Sequence, residues 1–147
     1  MNLFHLLRPV VVLLAIVGSV IFSTRASGVE RKYSLRGTAL LDNDGIVVGA
    51  GNATHLGNYT EDGFASISGN DLTALQLEGY VTLTAANGDK LREHITGHLN
   101  FFTGAITATV TFIGGEGRFE DASGSAILLG QVGPSGISVV VVGTIDF

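Results

Sequence analysis

The amino-acid sequence predicts an all-β protein, an eight-stranded antiparallel β-barrel preceded by an N-terminal signal peptide. Short runs of alternating apolar and polar residues recur at spacings of roughly 8–15 residues, and links of hairpin length separate them. No long helix and no alternation of strands with helices appears, which indicates an antiparallel sheet. A β-sandwich is the alternative. We favour the barrel because eight strands in hairpin order close without leaving an edge.

The composition agrees with this fold class and excludes several kinds of function. Glycine occurs 21 times in 147 residues, well above its usual share of about 7 %, and many Thr, Val and Ile residues accompany it. An apolar content of 46 % excludes disorder for most of the chain. The chain has no cysteine, which excludes a disulfide framework, a thiolate metal site and a cysteine nucleophile. The formal net charge of −5 argues against nucleic acid as a partner.

Residues 1–26 have the pattern of a secretory signal peptide. Met1–Arg8 is short and basic, Pro9–Phe22 is apolar, and Ser23–Gly28 is small and polar. We expect cleavage after Ala26. The alternative is an uncleaved membrane anchor, but the apolar run is shorter than the ~20 residues that a spanning helix needs. Residues 27–147 are then a single exported barrel domain with no stable membrane span, located in the periplasm, the cell envelope or the medium.

The first half of the mature chain contains less regular strands. The first strand is expected from about Val29 to Leu41, and Asp42–Gly45 predicts a turn, since the ligand spacing of an EF-hand is absent. Ile46–Thr60 is expected to form a strand pair or one bent strand. A short strand at Phe64–Ile67 follows, and Leu72–Leu77 suits either a strand or a helical turn. Within Ile46–Thr60 we expect bulges at three glycines, Gly49, Gly51 and Gly57.

The second half alternates more clearly. Asn87-Gly88 predicts a two-residue hairpin turn of the primed type, between a strand that starts near Glu78 and a return strand at Lys90–Asn100. Strands are expected at Ala105–Ile113 and Ser125–Val132 as well. The last strand, Ile137–Phe147, would complete the barrel by pairing with the first strand near Tyr33.

A glycine-rich loop, Gly114–Gly124, lies between two of these strands and reads GGEGRFEDASG. Phe119 is its one large apolar residue, and we expect it to cap the barrel. We expect Arg118 to hold the loop by pairing with Glu120, Asp121 or a nearby carbonyl. The loop lacks the Lys-Ser/Thr of a phosphate-binding loop, so we interpret it as structural. The residues given this structural role are Gly114, Gly115, Gly117, Arg118, Phe119 and Gly124.

The same loop resembles the G-G-x-G-x-F-x-x-A-x-G signature of dirigent proteins and of the allene oxide cyclase barrel group. Ala53–Gly57 and Ala85–Asp89 are similar to segments of small exported bacterial proteins of this barrel type. The resemblance implies an eight-stranded barrel with a mainly apolar cavity, and a homotrimer. No catalytic residue is carried over, because the catalytic residues of allene oxide cyclases lie outside the shared signature.

Four polar residues are the candidate ligand-binding residues. Arg92, His94 and His98 lie on one face of a predicted strand, together with Thr96 and Asn100. His94 and His98 are about 13 Å apart at ~3.3 Å per residue, too far to bind one metal ion, so no metal site is predicted. Leu91, Ile95 and Leu99 on the opposite face are more core-like, which favours a solvated face for the polar stripe. His55 is the fourth candidate, because histidine can transfer protons near neutral pH.

The sequence leaves three hypotheses about function open. The first is an exported, non-enzymatic barrel that binds a small, partly apolar ligand or a protein partner, because no motif of a hydrolase or metalloprotease is present. The second is an isomerase or cyclase of the allene oxide cyclase type, with His55 or His94 polarising an oxygen. The third is a structural component of the envelope. No cofactor is predicted for any of them.

Overall fold

Inward, mostly apolar residues alternate with exposed residues along the strands of the computed structural model, which describes residues 28–147. The outward positions carry polar residues and also large apolar ones such as Leu129 and Val142. Each strand pairs with the next in antiparallel fashion, and the last pairs with the first. This arrangement confirms the eight-stranded barrel and excludes the sandwich. The strands are β1 (Arg31–Leu41), β2 (Ile46–Ala53), β3 (Gly57–Ser68), β4 (Leu75–Ala85), β5 (Lys90–Leu99), β6 (Ala105–Glu116), β7 (Ser123–Gly133) and β8 (Gly136–Asp146), with a 3₁₀ turn at Gly117–Phe119.

The barrel closes between β1 and β8. The register runs from Arg31 opposite Ile145 to Ala39 opposite Ile137, and Tyr33 faces Gly143. The pairing that was predicted near Tyr33 is therefore confirmed. Residues 28–147 include no α-helix that is long and apolar enough to cross a membrane. The predicted signal peptide lies outside the described residues.

Two predictions for the first half of the barrel need correction. Phe64–Ile67 is the continuation of β3, not a separate strand. The β2–β3 register is unbroken from Ile46–Phe64 to Ala53–Gly57, so the predicted glycine bulges are wrong. The observed register shift lies instead between Leu91 and Glu93, where β5 pairs with β6. Gly49 and Gly51 make room inside the barrel for larger side chains on β3, and this packing requires no extra residue in the strand.

The turns are set by local hydrogen bonds. The Asp42 carboxylate accepts from the backbone N–H of Asp44 at 2.9 Å and of Ile46 at 2.8 Å, which confirms a turn there. The predicted two-residue turn at Asn87-Gly88 is wrong. Ala85 donates its N–H to Asp89 O, so three residues form the loop, and only Gly88 in it has a positive φ, of 90°.

The connections between the strands lie at two ends of the barrel. Residues 42–45, 69–74, 100–104 and 134–135 meet at one end, which we call the open end. Residues 54–56, 86–89 and 117–122 meet at the other end, together with both termini of the described chain, and we call it the closed end.

Phe119 plugs the closed end, as the sequence predicted. Its side chain is 0 % exposed, and its ring centroid lies 4.8 Å from that of Phe147. The predicted partners of Arg118 were wrong: its Nε lies 2.9 Å from Asp89 Oδ2, in the β4–β5 turn. Gly117, with a positive φ of 67°, brings the 3₁₀ turn against Asp89, which is why Arg118 reaches across to a neighbouring hairpin instead of along its own loop.

Replacing Phe119 with alanine should lower the free energy of unfolding by about 3–5 kcal/mol, because it empties a fully buried site at the closed end. Urea denaturation followed by circular dichroism measures this. The matched control is Phe101→Ala, because the Phe101 side chain is 64 % exposed and its loss should change stability by at most ~0.5 kcal/mol. Equal effects of the two substitutions would contradict a plug role for Phe119.

Candidate functional site

The interior of the barrel contains a cavity of about 380 Å³ next to the open end. Residues from all eight strands line it, and apart from the Glu61 carboxyl the lining side chains are apolar or glycine. Its volume lies within the range of about 300–1,000 Å³ that small-molecule sites occupy. The cavity is therefore large enough for a ligand.

The cavity exists because the two halves of the barrel are filled differently. Large side chains of Tyr33, Leu83, Phe112 and Phe119 are buried towards the closed end. Towards the open end, several inward positions carry small residues, among them Ala39, Ala65 and Gly79. Small eight-stranded barrels have room for core side chains or for one small ligand. In this barrel, core side chains fill the half towards the closed end, and the half towards the open end keeps room for a small ligand.

Glu61 is the one charged residue that the described part of the chain contributes to the cavity wall. It lies on β3 between Gly49 of β2 and Leu83 of β4, and the position of a Cβ at Gly49 would be only 2.8 Å from Glu61 Oε2. The glycine thus leaves the space that the carboxyl occupies. Burial, reinforced by the negative charge of neighbouring Asp62, raises the pKa of Glu61 to about 7.

Glu93 lies deeper in the barrel and is 3 % exposed. The Tyr33 hydroxyl donates a hydrogen bond to Glu93 Oε1 at 3.2 Å. Burial and the negative charge of Glu61 raise the pKa of Glu93 to about 8, against the opposing effect of the Tyr33 hydrogen bond. At neutral pH Glu93 is therefore mainly a neutral acid, which is the form that an apolar interior tolerates.

Tyr59 completes the group of polar side chains inside the barrel. Its hydroxyl is buried and has no hydrogen-bond partner among residues 28–147. It lies against Gly37 and Gly51, where any side chain would collide with the Tyr59 ring or hydroxyl. Burial and the nearby Glu61 raise the pKa of Tyr59, and burial and Glu93 raise that of Tyr33. We call Tyr33, Tyr59, Glu61 and Glu93 the interior polar cluster.

The interior polar cluster offers a ligand two kinds of chemistry. Glu61, with a pKa of about 7, can accept a hydrogen bond or exchange a proton at neutral pH. The Tyr59 hydroxyl has no hydrogen-bond partner among residues 28–147, but Tyr59 is not one of the residues that line the cavity. Within residues 28–147, no three His, Asp or Glu side chains converge as ligands for a metal ion.

The polar stripe that was predicted on β5 lies on the outer surface. This confirms the interpretation of that face of the strand as solvated. Arg92 Nη2 lies 2.9 Å from Glu116 Oε1, and His94 Nε2 lies 3.2 Å from Glu78 Oε1. The His94 ring also stacks on Tyr80, with centroids 4.4 Å apart. His98 Nε2 lies 3.0 Å from the side-chain amide of Gln76. None of the three candidates reaches the cavity, because strand alternation points them away from it.

His55 lies at the closed end and is also separate from the cavity. It is in the β2–β3 turn with a positive φ of 71°, and its Nε2 is 3.0 Å from the Lys32 carbonyl oxygen. Its ring packs edge-on against Phe147 at a centroid distance of 5.3 Å. These contacts agree with the structural interpretation of this histidine. The structure does not bring His55, Arg92, His94 and His98 together.

Glu61 and Glu93 were not among the predicted site residues, although strand alternation contained the signal. Glu93 stands between Leu91 and Ile95 on the apolar face of β5, and Glu61 stands between Tyr59 and Gly63 on the corresponding face of β3. A carboxylate on the inward face of a predicted strand conflicts with the apolar pattern. Such a conflict is expected at a functional site.

Comparisons with known proteins identify no family for this chain. It matches no protein-family model, no curated protein and no solved structure. The similarity to the allene oxide cyclase group therefore stays a prediction.

The two carboxyls inside the barrel, fully buried Glu93 and partly buried Glu61, predict how stability varies with pH. Folded Glu93 keeps its proton up to a pH of about 8, whereas the unfolded chain loses it near 4.5, so the folded state binds more protons between these values. The free energy of unfolding should therefore fall as the pH rises through this window. Glu61 adds to the fall up to a pH of about 7. Urea denaturation at a series of pH values measures the slope.

Glu93→Gln should reduce that slope, because an amide stays neutral and its oxygen can still accept from Tyr33. The matched control is Glu120→Gln, which removes an exposed carboxylate and should leave the slope as in the wild type. Stability that rises over this pH range, or an unchanged slope in Glu93→Gln, would contradict the assignment of Glu93 as a buried neutral acid.

Proposed function

We propose that the protein binds a small, largely apolar molecule in the open half of the barrel and holds one polar group of that molecule against Glu61. The observation that carries this proposal is the cavity of about 380 Å³, with apolar walls and a single carboxyl among the described lining residues. Ligand sites typically combine apolar walls with a few placed polar groups that fix orientation. This cavity has that composition.

The walls would supply most of the binding free energy. Apolar surface removed from water contributes about 25 cal/mol per Å², so even a small apolar body gains several kcal/mol inside the barrel. Glu61 would contribute mainly orientation, because the rest of the lining offers few polar groups. Export, predicted from residues 1–26, would place this binding outside the cytoplasm and remains part of the proposal.

A second candidate function is an isomerase or cyclase, and the position of Glu61 favours it. A carboxyl with a pKa of about 7 in an apolar cavity suits proton transfer at neutral pH. The histidines that the sequence hypothesis assigned to this role, His55 and His94, lie outside the cavity, so Glu61 would be the acid–base group. The homotrimer implied by the family resemblance stays a prediction.

Filling the cavity should weaken binding without unfolding the protein. Ala65→Leu adds an isopropyl group to the alanine side chain in the cavity wall and should weaken the binding of the neutral dye N-phenylnaphthylamine by at least ~10-fold, because the added atoms occupy the dye's volume. Fluorescence titration measures the dissociation constant.

The matched control for this experiment is Ala50→Leu, which adds the same group to the outer face of β2. It should bind the dye as the wild type does. Equal affinity of the wild type and Ala65→Leu, or no saturable binding by the wild type, would overturn the proposed function.

A further inference from the structure

We propose that the cavity selects a ligand with a positively charged amine on its apolar body, and that Glu61 and the acidic open end are the selecting features. This inference rests on the proposed function and deepens it by naming the ligand class. Three independent features of residues 28–147 support it: the surroundings of Glu61, the distribution of charge along the barrel, and the residues at the rim.

Glu61 has no positive partner inside the barrel among residues 28–147. The titratable groups that face it there are Tyr59 on its own strand, Tyr33 of β1 and Glu93 of β5, and all of them are neutral or negative. None of the six basic side chains in this part of the chain lines the cavity. Even a partly buried carboxylate with apolar surroundings is costly without a cation, so a ligand that supplies the positive charge reduces that cost.

The charge distribution along the barrel points the same way. At the open end, Asp42, Asp44 and Asp71 lie in the connections, which contain no lysine or arginine. The basic side chains of residues 28–147 lie at mid-barrel or towards the closed end: Arg31, Lys32, Arg36, Lys90, Arg92 and Arg118. An acidic entrance raises the local concentration of cations and lowers that of anions.

The rim adds a feature that suits an amine with an apolar body. Phe101 and Phe102 are 64 % and 70 % exposed in the β5–β6 connection, and their rings contact each other edge-on at 6.1 Å. Exposed aromatic faces attract both apolar groups and cations. These rings and the three aspartates lie at the end of the barrel next to the cavity, although none of them lines it, so an ammonium group that enters from this end would pass them before it reaches Glu61.

Other ligand classes fit this arrangement less well. A carboxylate or phosphate head group would place a second negative charge next to Glu61, with Glu93 behind it and no basic residue among the described residues of the cavity wall. An alcohol can donate one hydrogen bond, but it leaves the charge of Glu61 uncompensated. An ammonium group both donates hydrogen bonds and compensates the charge, and charge-assisted hydrogen bonds are the stronger kind.

Binding of an amine also requires a proton balance that can be measured. An ammonium ion favours the ionised form of Glu61, so a protein in which this carboxyl is partly protonated must release a proton to the buffer on binding. A neutral alcohol has no such effect. The heat of amine binding near pH 7 should therefore depend on the ionisation enthalpy of the buffer.

The test is isothermal titration calorimetry on the purified protein with three probes of equal chain length, octylamine, octanol and octanoate. At a pH of about 8, where Glu61 is mainly ionised, we expect octylamine to bind at least ~10-fold more tightly than octanol, and octanoate to bind most weakly. Near neutral pH, we expect proton release for octylamine alone. It is detected as a heat of binding that depends on the ionisation enthalpy of the buffer.

Glu61→Gln identifies the selecting residue. It should weaken octylamine binding by at least ~10-fold, abolish the proton release and change octanol binding much less, because the amide keeps the shape of the site and an oxygen that accepts a hydrogen bond but removes the charge. The matched control, Glu120→Gln, removes the same charge from the outer surface at the closed end and should behave as the wild type. Circular dichroism checks that each variant is folded.

The outcomes separate this inference from the proposed function on which it rests. Binding of octanol or octanoate at least as tight as that of octylamine overturns the inference and leaves ligand binding standing. An unchanged preference in Glu61→Gln also overturns it. If none of the three probes binds, the proposed function fails, and the inference fails with it.

Discussion

The pairing of β1 with β8 is the constraint on which the rest of the structure depends. It runs from Arg31–Ile145 to Ala39–Ile137 and turns a row of hairpins into a closed barrel. A closed sheet has no free edge, and its inward side chains alone decide what occupies the interior. Here large side chains such as Phe112 and Phe119 fill one half, and small ones such as Ala39 and Ala65 leave the other half open. The cavity is therefore a property of side-chain size on a regular backbone.

The interior polar cluster works against the stability that this closure provides. Glu61 and Glu93 are carboxyls in an apolar interior, and Tyr59 has a buried hydroxyl without a partner among the described residues. Each is costly in a folded protein unless something compensates it. At neutral pH, protonation removes the charge of Glu93 and so the cost of burying a carboxylate. A ligand would compensate Glu61, which is why we relate this cost to function.

Strand alternation was sufficient to predict the barrel, its closing pair and the outward face of Arg92, His94 and His98. Phe119 was identifiable because it is the one large apolar residue in a glycine-rich loop.

The partner of Arg118 was not identifiable from the sequence, because Asp89 belongs to another hairpin and only the folded barrel brings it within 2.9 Å. Strand alternation did not predict the cavity, which only the family resemblance implied, since an empty interior depends on how eight inward faces combine. The inward position of Glu61 could be read from the alternation of β3. The apolar cavity around it depends on the fold, and this cavity is what gives Glu61 a proposed role.

The most direct test of the cavity as an apolar ligand site is the ionisation of Glu61 itself, measured by carbon-13 NMR of its side-chain carboxyl during a pH titration and assigned with Glu61→Gln. We predict a titration midpoint near 7, because the carboxyl lies in an apolar cavity that water solvates poorly. A midpoint near the ordinary value of 4.5 would mean that the carboxyl is fully solvated, and it would contradict the cavity as an apolar ligand site.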